Sequence, residues 1–109
     1  MYPKTEILSC NKEGTSRAAQ ILNEGGLVAF PTETVYGLGA DSTNIEAVEK
    51  IYKAKRRPKY NPLIIHVFNL EKAREFVEMD SKASKLAESF WPGPLTLVLE
   101  HKADQNLKI

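Results

Sequence analysis

The chain has 109 residues, with 15 Lys and Arg against 14 Asp and Glu and a formal net charge of +1 at pH 7. This length is enough for one domain with its own core and too short for two. The near-balance of charge excludes binding of nucleic acid through overall charge, and no apolar stretch of about 20 residues predicts a membrane span.

The first part of the chain predicts a cytoplasmic protein that begins with a short helix. Residues 1–10 lack the apolar core of a secretory signal. Cys10 has no second cysteine with which to form a disulfide or a zinc site, so we interpret it as an inert thiol. Thr15 or Ser16 can cap the helix, and Gly25 ends it because glycine adopts a positive φ readily.

A buried strand and a second helix follow. The apolar run LVAF at residues 27–30 predicts the strand. Thr43 and Glu46 have the spacing of a capping box, which predicts a helix over residues 44–57 that Pro58 ends. The predicted core side of this helix consists of Val48, Ile51 and Tyr52.

The second half of the chain predicts two strands with two helices between them. The strands are residues 62–68 (PLIIHVF) and 95–100 (LTLVLE), and Asn69 and Asp80 are the predicted helix caps. The apolar sides of the helices consist of Ala73, Phe76 and Val77 in the first and Leu86, Ala87, Phe90 and Trp91 in the second. The resulting order, βαβααβ, predicts an α/β fold with helices packed on a sheet. Three strands make a thin core, so we expect the chain to be the N-terminal part of a larger domain.

Residues 31–40 (PTETVYGLGA) concentrate polar side chains after the first predicted strand. Thr32, Glu33, Thr34 and Tyr36 supply two hydroxyls, a carboxylate and a phenol. The ends of strands are where α/β sheets bind ligands, yet the segment is neither a Walker loop nor a GxGxxG fingerprint. Two interpretations fit this pattern. One is a ligand-binding loop, and the other is a turn in which threonine and glycine are present for the backbone geometry.

Five basic residues occupy the seven positions 53–59 (KAKRRPK), at the predicted end of the second helix. Basic side chains there stabilise the helix dipole, which is one explanation of the run. Because five like charges repel one another, a bound anion is the explanation that we favour. Arg57 suits bidentate contact with a phosphate, Lys55 supplies a point charge, and Asn61 can hydrogen bond to a phosphate or a ribose.

His66 lies within the second predicted strand. A lone histidine in a strand is more typical of a core residue than of a ligand, and no cluster of acidic residues or thiols predicts a metal site. If the first two strands are neighbours, however, His66 and Thr34 both reach one cleft. No arrangement of residues predicts a catalytic nucleophile.

Three separated motifs closely resemble the threonylcarbamoyl-AMP synthase family, that is, the YrdC-type domain. They are PTETVYGLGA after GGLVAF, KAKRRPKYNPLIIHV and FWPGPLTLVL, and the resemblance covers residues 16–99. It implies an open, twisted sheet with flanking helices around a large cleft whose concave face is basic. It also implies synthesis of threonylcarbamoyl-AMP and pyrophosphate from L-threonine, bicarbonate and ATP, with the product passed to the machinery that modifies tRNA.

The same resemblance assigns roles to individual residues. The residues that match L-threonine-binding positions of the family are Thr34, His66, Thr32 and Tyr36. Those that match ATP-binding positions are Arg57, Asn61 and Lys55, with a divalent cation, Mg²⁺, carried on the nucleotide. Residues 92–96 match the rim of the cleft. No protein nucleophile or protein-bound metal is implied, since positioning and charge neutralisation carry the reaction.

The family domain is longer than this chain, and its second half adds contacts to both substrates. Residues 1–109 are therefore expected to be the N-terminal portion of a truncated YrdC-like domain. Two other functions stay open: a non-catalytic module that binds tRNA or double-stranded RNA, and the carbamoyl-adenylate chemistry of hydrogenase maturation. RNA binding would weaken steeply with salt. Hydrogenase-maturation proteins carry zinc-finger-like segments, which this sequence lacks.

Overall fold

The computed structural model describes residues 4–102, which form an α/β fold as the sequence predicts. In chain order the elements are α1 (Lys12–Asn23), β1 (Val28–Phe30), β2 (Gly37–Gly39), α2 (Ile45–Lys55), α3 (Leu70–Arg74) and α4 (Ser81–Phe90). These residues make two compact units that divide after Asn61. No helix in the described range has both the length and the apolar character needed to cross a lipid bilayer.

The two short strands form an antiparallel hairpin in which Phe30 pairs with Gly37 and Val28 with Gly39. The strand predicted at residues 27–30 forms over Val28–Phe30, but it is half-buried to exposed and not buried as predicted, and β2 was expected to be loop. The aromatic ring of Phe30 lies over both glycines. A Cβ atom on Gly39 would come within 2.7 Å of Phe30 Cε1, and one on Gly37 within 3.2 Å of Phe30 Cε2. Glycine is therefore the residue that lets this ring cover β2.

Helix α1 begins earlier than predicted. Asn11 is its N-cap, and the Asn11 side chain accepts a hydrogen bond from Gly14 N at 2.8 Å. The expected cap at Thr15 or Ser16 is wrong, because both residues already lie inside the helix. The prediction for its C-terminal end is confirmed, since Gly25 has a φ of +87°.

Helix α2 supplies most of the buried apolar side chains of the first unit. Asn44 caps it by accepting a hydrogen bond from Ala47 N at 3.1 Å. Thr43 is not the cap, because its hydroxyl donates instead to Asp41 Oδ1 at 2.7 Å. The predicted core side is confirmed, and the buried residues of the helix are Ala47, Val48, Ile51 and Tyr52.

The strands predicted at residues 62–68 and 95–100 do not form. Both segments are outside the named strands, although exposed and half-buried residues alternate along each of them. This alternation is that of a strand with one covered face, but assignment as a strand also requires a regular ladder of hydrogen bonds, which local propensity does not determine. The caps predicted at Asn69 and Asp80 are confirmed, since their side chains accept hydrogen bonds from Lys72 N at 2.9 Å and Ala83 N at 2.7 Å.

An ion pair fixes the segment before α1. Arg17 Nη2 lies 2.7 Å from Glu6 Oε2, and Arg17 Nε also donates to Glu6 at 3.2 Å. The hydrogen bond from Arg17 lowers the pKa of Glu6 below its ordinary value. A carboxyl group with a lowered pKa stabilises the fold at pH above its ordinary pKa, and this contribution is lost as the pH falls through the lowered value.

The contact between Phe30 and β2 gives the first prediction. Gly39→Ala is expected to lower the free energy of unfolding by about 1–3 kcal/mol, because its methyl group would overlap the ring. Gly37→Ala, with more room, is expected to cost less. In a Phe30→Ala background the Gly39→Ala penalty should vanish. Urea unfolding of the single and double variants measures these differences, and a penalty that persists without the Phe30 ring contradicts the assignment.

Candidate functional site

The first part of the site is residues 31–36, the segment that joins β1 to β2, which we call the hydroxyl loop. All of its residues are exposed. Thr32 Oγ1 donates a hydrogen bond to Val35 O and accepts one from Thr34 N at 3.2 Å. The hydroxyl oxygens of Thr32 and Thr34 lie 3.4 Å apart. The loop is thus held in a turn by the Thr32 side chain, as Ser and Thr hydroxyls commonly do.

These contacts leave Thr34 accessible to a ligand. In the contact between the two threonine hydroxyls either oxygen can be the donor. Thr34 is exposed, so its hydroxyl can also accept a hydrogen bond from a ligand N–H group. The Tyr36 side chain is 73% exposed on the same loop. The hydroxyl loop therefore presents an acceptor and a phenol to solvent, in a fixed turn.

The second part is residues 53–61, at the end of α2, which we call the basic corner. Arg56 caps the helix in the left-handed conformation, with φ 51° and ψ 39°. The backbone N–H of Arg57 reaches back to Tyr52 O at 2.9 Å, and that of Arg56 to Lys53 O at 3.3 Å. This is the Schellman arrangement, in which glycine is the usual residue at the left-handed position. An arginine there bears a backbone cost that glycine would avoid.

Arg57 and Asn61 are brought together, as the sequence predicts. Arg57 Nε donates to Asn61 O at 3.3 Å, and the hydroxyl of Tyr52 donates to the same carbonyl at 2.8 Å. The contact uses the backbone of Asn61, so its side-chain amide is left for other partners. The sequence placed Tyr52 in the core and missed its role in holding the basic corner. The available signal was that a buried tyrosine needs a hydrogen-bond partner for its hydroxyl.

The remaining charges of the basic corner are open to solvent. Lys55 is exposed, and its ammonium group forms no ion pair with any residue of the described range. Lys59 lies 3.7 Å from Glu49, and both side chains are largely exposed, so this pair contributes little. Positive charge is therefore concentrated here without matching acidic side chains.

His66 belongs to the unit that begins at Pro62. It is exposed, and so are the residues two positions before and after it, Ile64 and Phe68, which are 67% and 90% exposed. The interpretation of His66 as a core histidine is therefore wrong. In the part of the chain that the structure describes, no group of three or more His, Cys, Asp or Glu residues is arranged to hold a metal ion.

The segment at residues 92–96, predicted to form a cleft rim, is a turn closed by Trp91. The indole Nε1 donates to Leu95 O at 2.8 Å. A Cβ atom on Gly93 would lie 2.5 Å from Phe90 O, so glycine is required for this close approach. Trp91, predicted on the apolar side of a helix, instead follows the end of α4 as its C-cap and is half-buried.

The β-hairpin, the hydroxyl loop and the basic corner belong to an α/β domain, and comparison with known proteins identifies its family. The family model described as "Telomere recombination", covering Sua5, YciO and YrdC proteins, matches residues 20–108. The chain therefore belongs to the Sua5/YciO/YrdC family.

Several relatives carry the name threonylcarbamoyl-AMP synthase. The one from Bacillus subtilis is 48% identical over 101 residues, and the one from Pyrococcus abyssi is 55% identical over 83 residues. These alignments cover 92% and 75% of this chain but only 29% and 24% of the relatives. The chain thus spans less than a third of the length of these two relatives.

Two solved structures of Sua5 from P. abyssi have the same fold over this region. A double-alanine variant superposes with a TM-score of 0.82 at 46% identity, over 90% of this chain and 31% of the other. The protein complexed with L-threonine superposes with a TM-score of 0.81 at 49% identity, over 85% of this chain and 28% of the other.

The left-handed Arg56 gives the second prediction. Arg56→Gly is expected to raise the free energy of unfolding by about 1 kcal/mol, because glycine adopts this conformation without the cost that a Cβ atom imposes. Arg56→Ala is the matched control, since it also removes the charge but keeps the Cβ atom, and it should be close to neutral. Chemical denaturation measures both. Equal stabilisation by the two variants would mean that charge repulsion within the basic corner, rather than backbone strain, is relieved.

Proposed function

We propose that this chain carries the L-threonine- and ATP-binding part of a threonylcarbamoyl-AMP synthase. The observation that carries the proposal is the hydroxyl loop, in a chain 49% identical to a Sua5 protein complexed with L-threonine. The proposed reaction consumes L-threonine, bicarbonate and ATP and yields threonylcarbamoyl-AMP and pyrophosphate. Its product is a precursor for tRNA modification, which places the activity in the cytoplasm beside the transfer machinery.

The hydroxyl loop is the proposed L-threonine site. Thr34 Oγ1 accepts a hydrogen bond from the substrate ammonium or amine, while Thr32 keeps Thr34 in position. Tyr36 is exposed beside them and forms a wall of the site. His66 is proposed to contact the substrate carboxylate or hydroxyl, because an imidazole can donate to either. Each of these residues is exposed and therefore accessible to a ligand.

The basic corner is the proposed ATP site. Arg57 Nε is held by Asn61 O, and its guanidinium is the proposed contact to a phosphate. Lys55 adds a point charge, and the Asn61 side chain can hydrogen bond to the ribose or a phosphate. Mg²⁺ would arrive bound to the nucleotide as part of the substrate. These residues concentrate positive charge where the triphosphate needs it.

The chemistry that this arrangement suits is adenylyl transfer by positioning. The amine of L-threonine and bicarbonate form a carbamate and water. A carbamate oxygen then bonds to the α-phosphorus of ATP, while the bond between that phosphorus and the bridging oxygen breaks and pyrophosphate leaves. No protein group forms a covalent intermediate. Arg57 and Lys55 offset charge on the phosphates, and the hydroxyl loop fixes the nucleophile.

The third prediction concerns L-threonine. A chimera in which this chain replaces the matched residues of the B. subtilis relative should release pyrophosphate from ATP only when L-threonine and bicarbonate are present. Thr34→Val should raise the KM for L-threonine by about 10–100-fold, the range expected for a hydrogen bond to a charged group. Thr34→Ser, which keeps the hydroxyl, should retain most of the affinity. Release of pyrophosphate without L-threonine, from a chimera with an intact thermal transition, would refute the function.

The fourth prediction concerns ATP. Arg57→Ala should weaken ATP binding by about 10–100-fold in calorimetry, because a charge-assisted contact to a phosphate is lost. Lys82→Ala, at an exposed position of α4, is the charge-matched control and should bind as the parent chain does. If Arg57→Ala leaves ATP affinity unchanged but weakens salt-sensitive binding of double-stranded RNA, the basic corner is an RNA contact instead.

A further inference from the structure

The two parts of the proposed site in the first unit are joined through the turn that ends α1. We propose that Lys50 is a positioning residue of this site, because its ammonium group ties α2 to that turn. This tie fixes the hydroxyl loop relative to the basic corner. Lys50 lies outside both parts and touches neither substrate. The consequence for catalysis rests on the proposed function, whereas the fixed separation of the two parts does not.

A hydrogen bond between residues 25 positions apart in the chain provides the first observation. Lys50 Nζ donates to Gly25 O at 2.8 Å, and Gly25 is buried. Lys50 forms no ion pair with any residue of the described range. Hydrogen bonds from an ammonium group are shorter and stronger than those between neutral groups. The charge of Lys50 is therefore used within the fold, whereas that of Lys55 is open to solvent.

The C-terminal end of α1 provides the second observation. The last carbonyl groups of a helix carry partial negative charge, which a basic residue in the last turn commonly offsets. The last turn of α1 contains no basic residue, and its C-cap is the acidic Glu24. Lys50 brings a positive charge to this end from another helix, at the residue that follows the C-cap. The contact thus has an electrostatic reason that is specific to these two helices.

The turn is closely packed against α2 as well as tied to it. The backbone N–H of Gly26 donates to Ile21 O at 2.8 Å, which closes the turn on α1. A Cβ atom on Gly25 would lie 3.1 Å from Nδ2 of Asn44, the N-cap of α2. Asn44 and Lys50 therefore approach Gly25 from two points of one helix. Two such points restrict both sliding and rotation of α2 relative to the turn.

Both parts of the site continue directly from this joint. After Gly25 the chain enters β1 (Val28–Phe30), whose end leads into the hydroxyl loop. After Lys50 the same helix leads into the basic corner, which begins at Lys53. Movement of α2 along the turn would therefore change the distance between the hydroxyl loop and the basic corner. Adenylyl transfer needs that distance to be constant, because the carbamate and the α-phosphorus react only when they are held together.

Electron paramagnetic resonance tests this separation on the chain itself, without ligands. Spin labels are attached after the substitutions Val35→Cys and Tyr60→Cys, with Cys10→Ser to remove the natural thiol. Val35 and Tyr60 are 74% and 84% exposed, so both positions accept a label. Lys50→Met, which removes the ammonium group and keeps an unbranched side chain, should shift or broaden the distance by about 1–2 Å, the scale on which packed helices slide. Lys50→Arg should restore the parent distribution, because it donates to the same carbonyl.

Kinetics in the chimera with the B. subtilis relative separate positioning from binding. Lys50→Met should lower kcat for pyrophosphate release by about 10–100-fold, since the two reacting groups are no longer aligned. The KM values for L-threonine and for ATP should each change by less than about twofold, because Lys50 touches neither substrate. Lys82→Met, at an exposed lysine of α4, is the matched control and should leave kcat and both KM values unchanged.

A purely stabilising role for Lys50 would give a different result. Lys50→Met would then lower the midpoint of urea unfolding, while the label distance in the folded chain and kcat stay at their parent values. That result overturns the proposal, and so does a loss in Lys50→Arg equal to that in Lys50→Met. A chimera that releases no pyrophosphate, from a chain whose label distance responds to Lys50→Met, would refute the proposed function and leave the positioning by Lys50 supported.

Discussion

The buried face of α2 is the interaction on which the described structure up to Asn61 depends. Its four residues include the two largest aliphatic side chains of the buried set, and covering one such side chain stabilises a fold by about 1.5–3 kcal/mol. Two polar side chains of α2 also donate hydrogen bonds to backbone carbonyls outside the helix. Lys50 Nζ donates to Gly25 O at 2.8 Å, and the Tyr52 hydroxyl donates to Asn61 O at 2.8 Å. Packing of one helix thus positions both the turn before β1 and the basic corner.

The two parts of the site in this unit are held by different means. The hydroxyl loop is fixed by its own side chain, because Thr32 closes a turn within four residues. The basic corner is fixed from outside, since Tyr52 and Arg57 converge on one carbonyl. A substitution in the core of α2 would therefore disturb the proposed ATP contacts before the proposed L-threonine contacts. The left-handed Arg56 adds strain to the corner, where the like charges also repel one another.

Sequence predicts the four helices, and the caps of α3 and α4, because those signals are local. Asn69 and Asp80 cap their helices by accepting hydrogen bonds from backbone N–H groups three residues further along the chain. The apolar pattern of α2 likewise lies within the sequence of the helix itself. Thr43 failed as a cap because Asp41, two residues away, competes for its hydroxyl. Strands are different, since their partners are distant in sequence. Glycine-rich β2 pairs with β1 under the ring of Phe30, whereas residues 62–68 are outside the named strands of the described range despite their strong strand propensity. For the site, residue types suggested which side chains bind, but not that Tyr52 holds the corner.

Exposure to water affects the two proposed tasks of the site, substrate binding and adenylyl transfer, differently. Binding requires groups in the right places, and Thr34, Arg57 and Asn61 are already held by contacts within the described residues. Transfer to the α-phosphorus also requires that these groups act in a medium of low dielectric constant, where a charge is worth more than in water. The hydroxyl loop and His66 are exposed to water instead. The contacts that hold the proposed binding groups can therefore be present in this chain even though the environment that the proposed transfer requires is absent from the described residues.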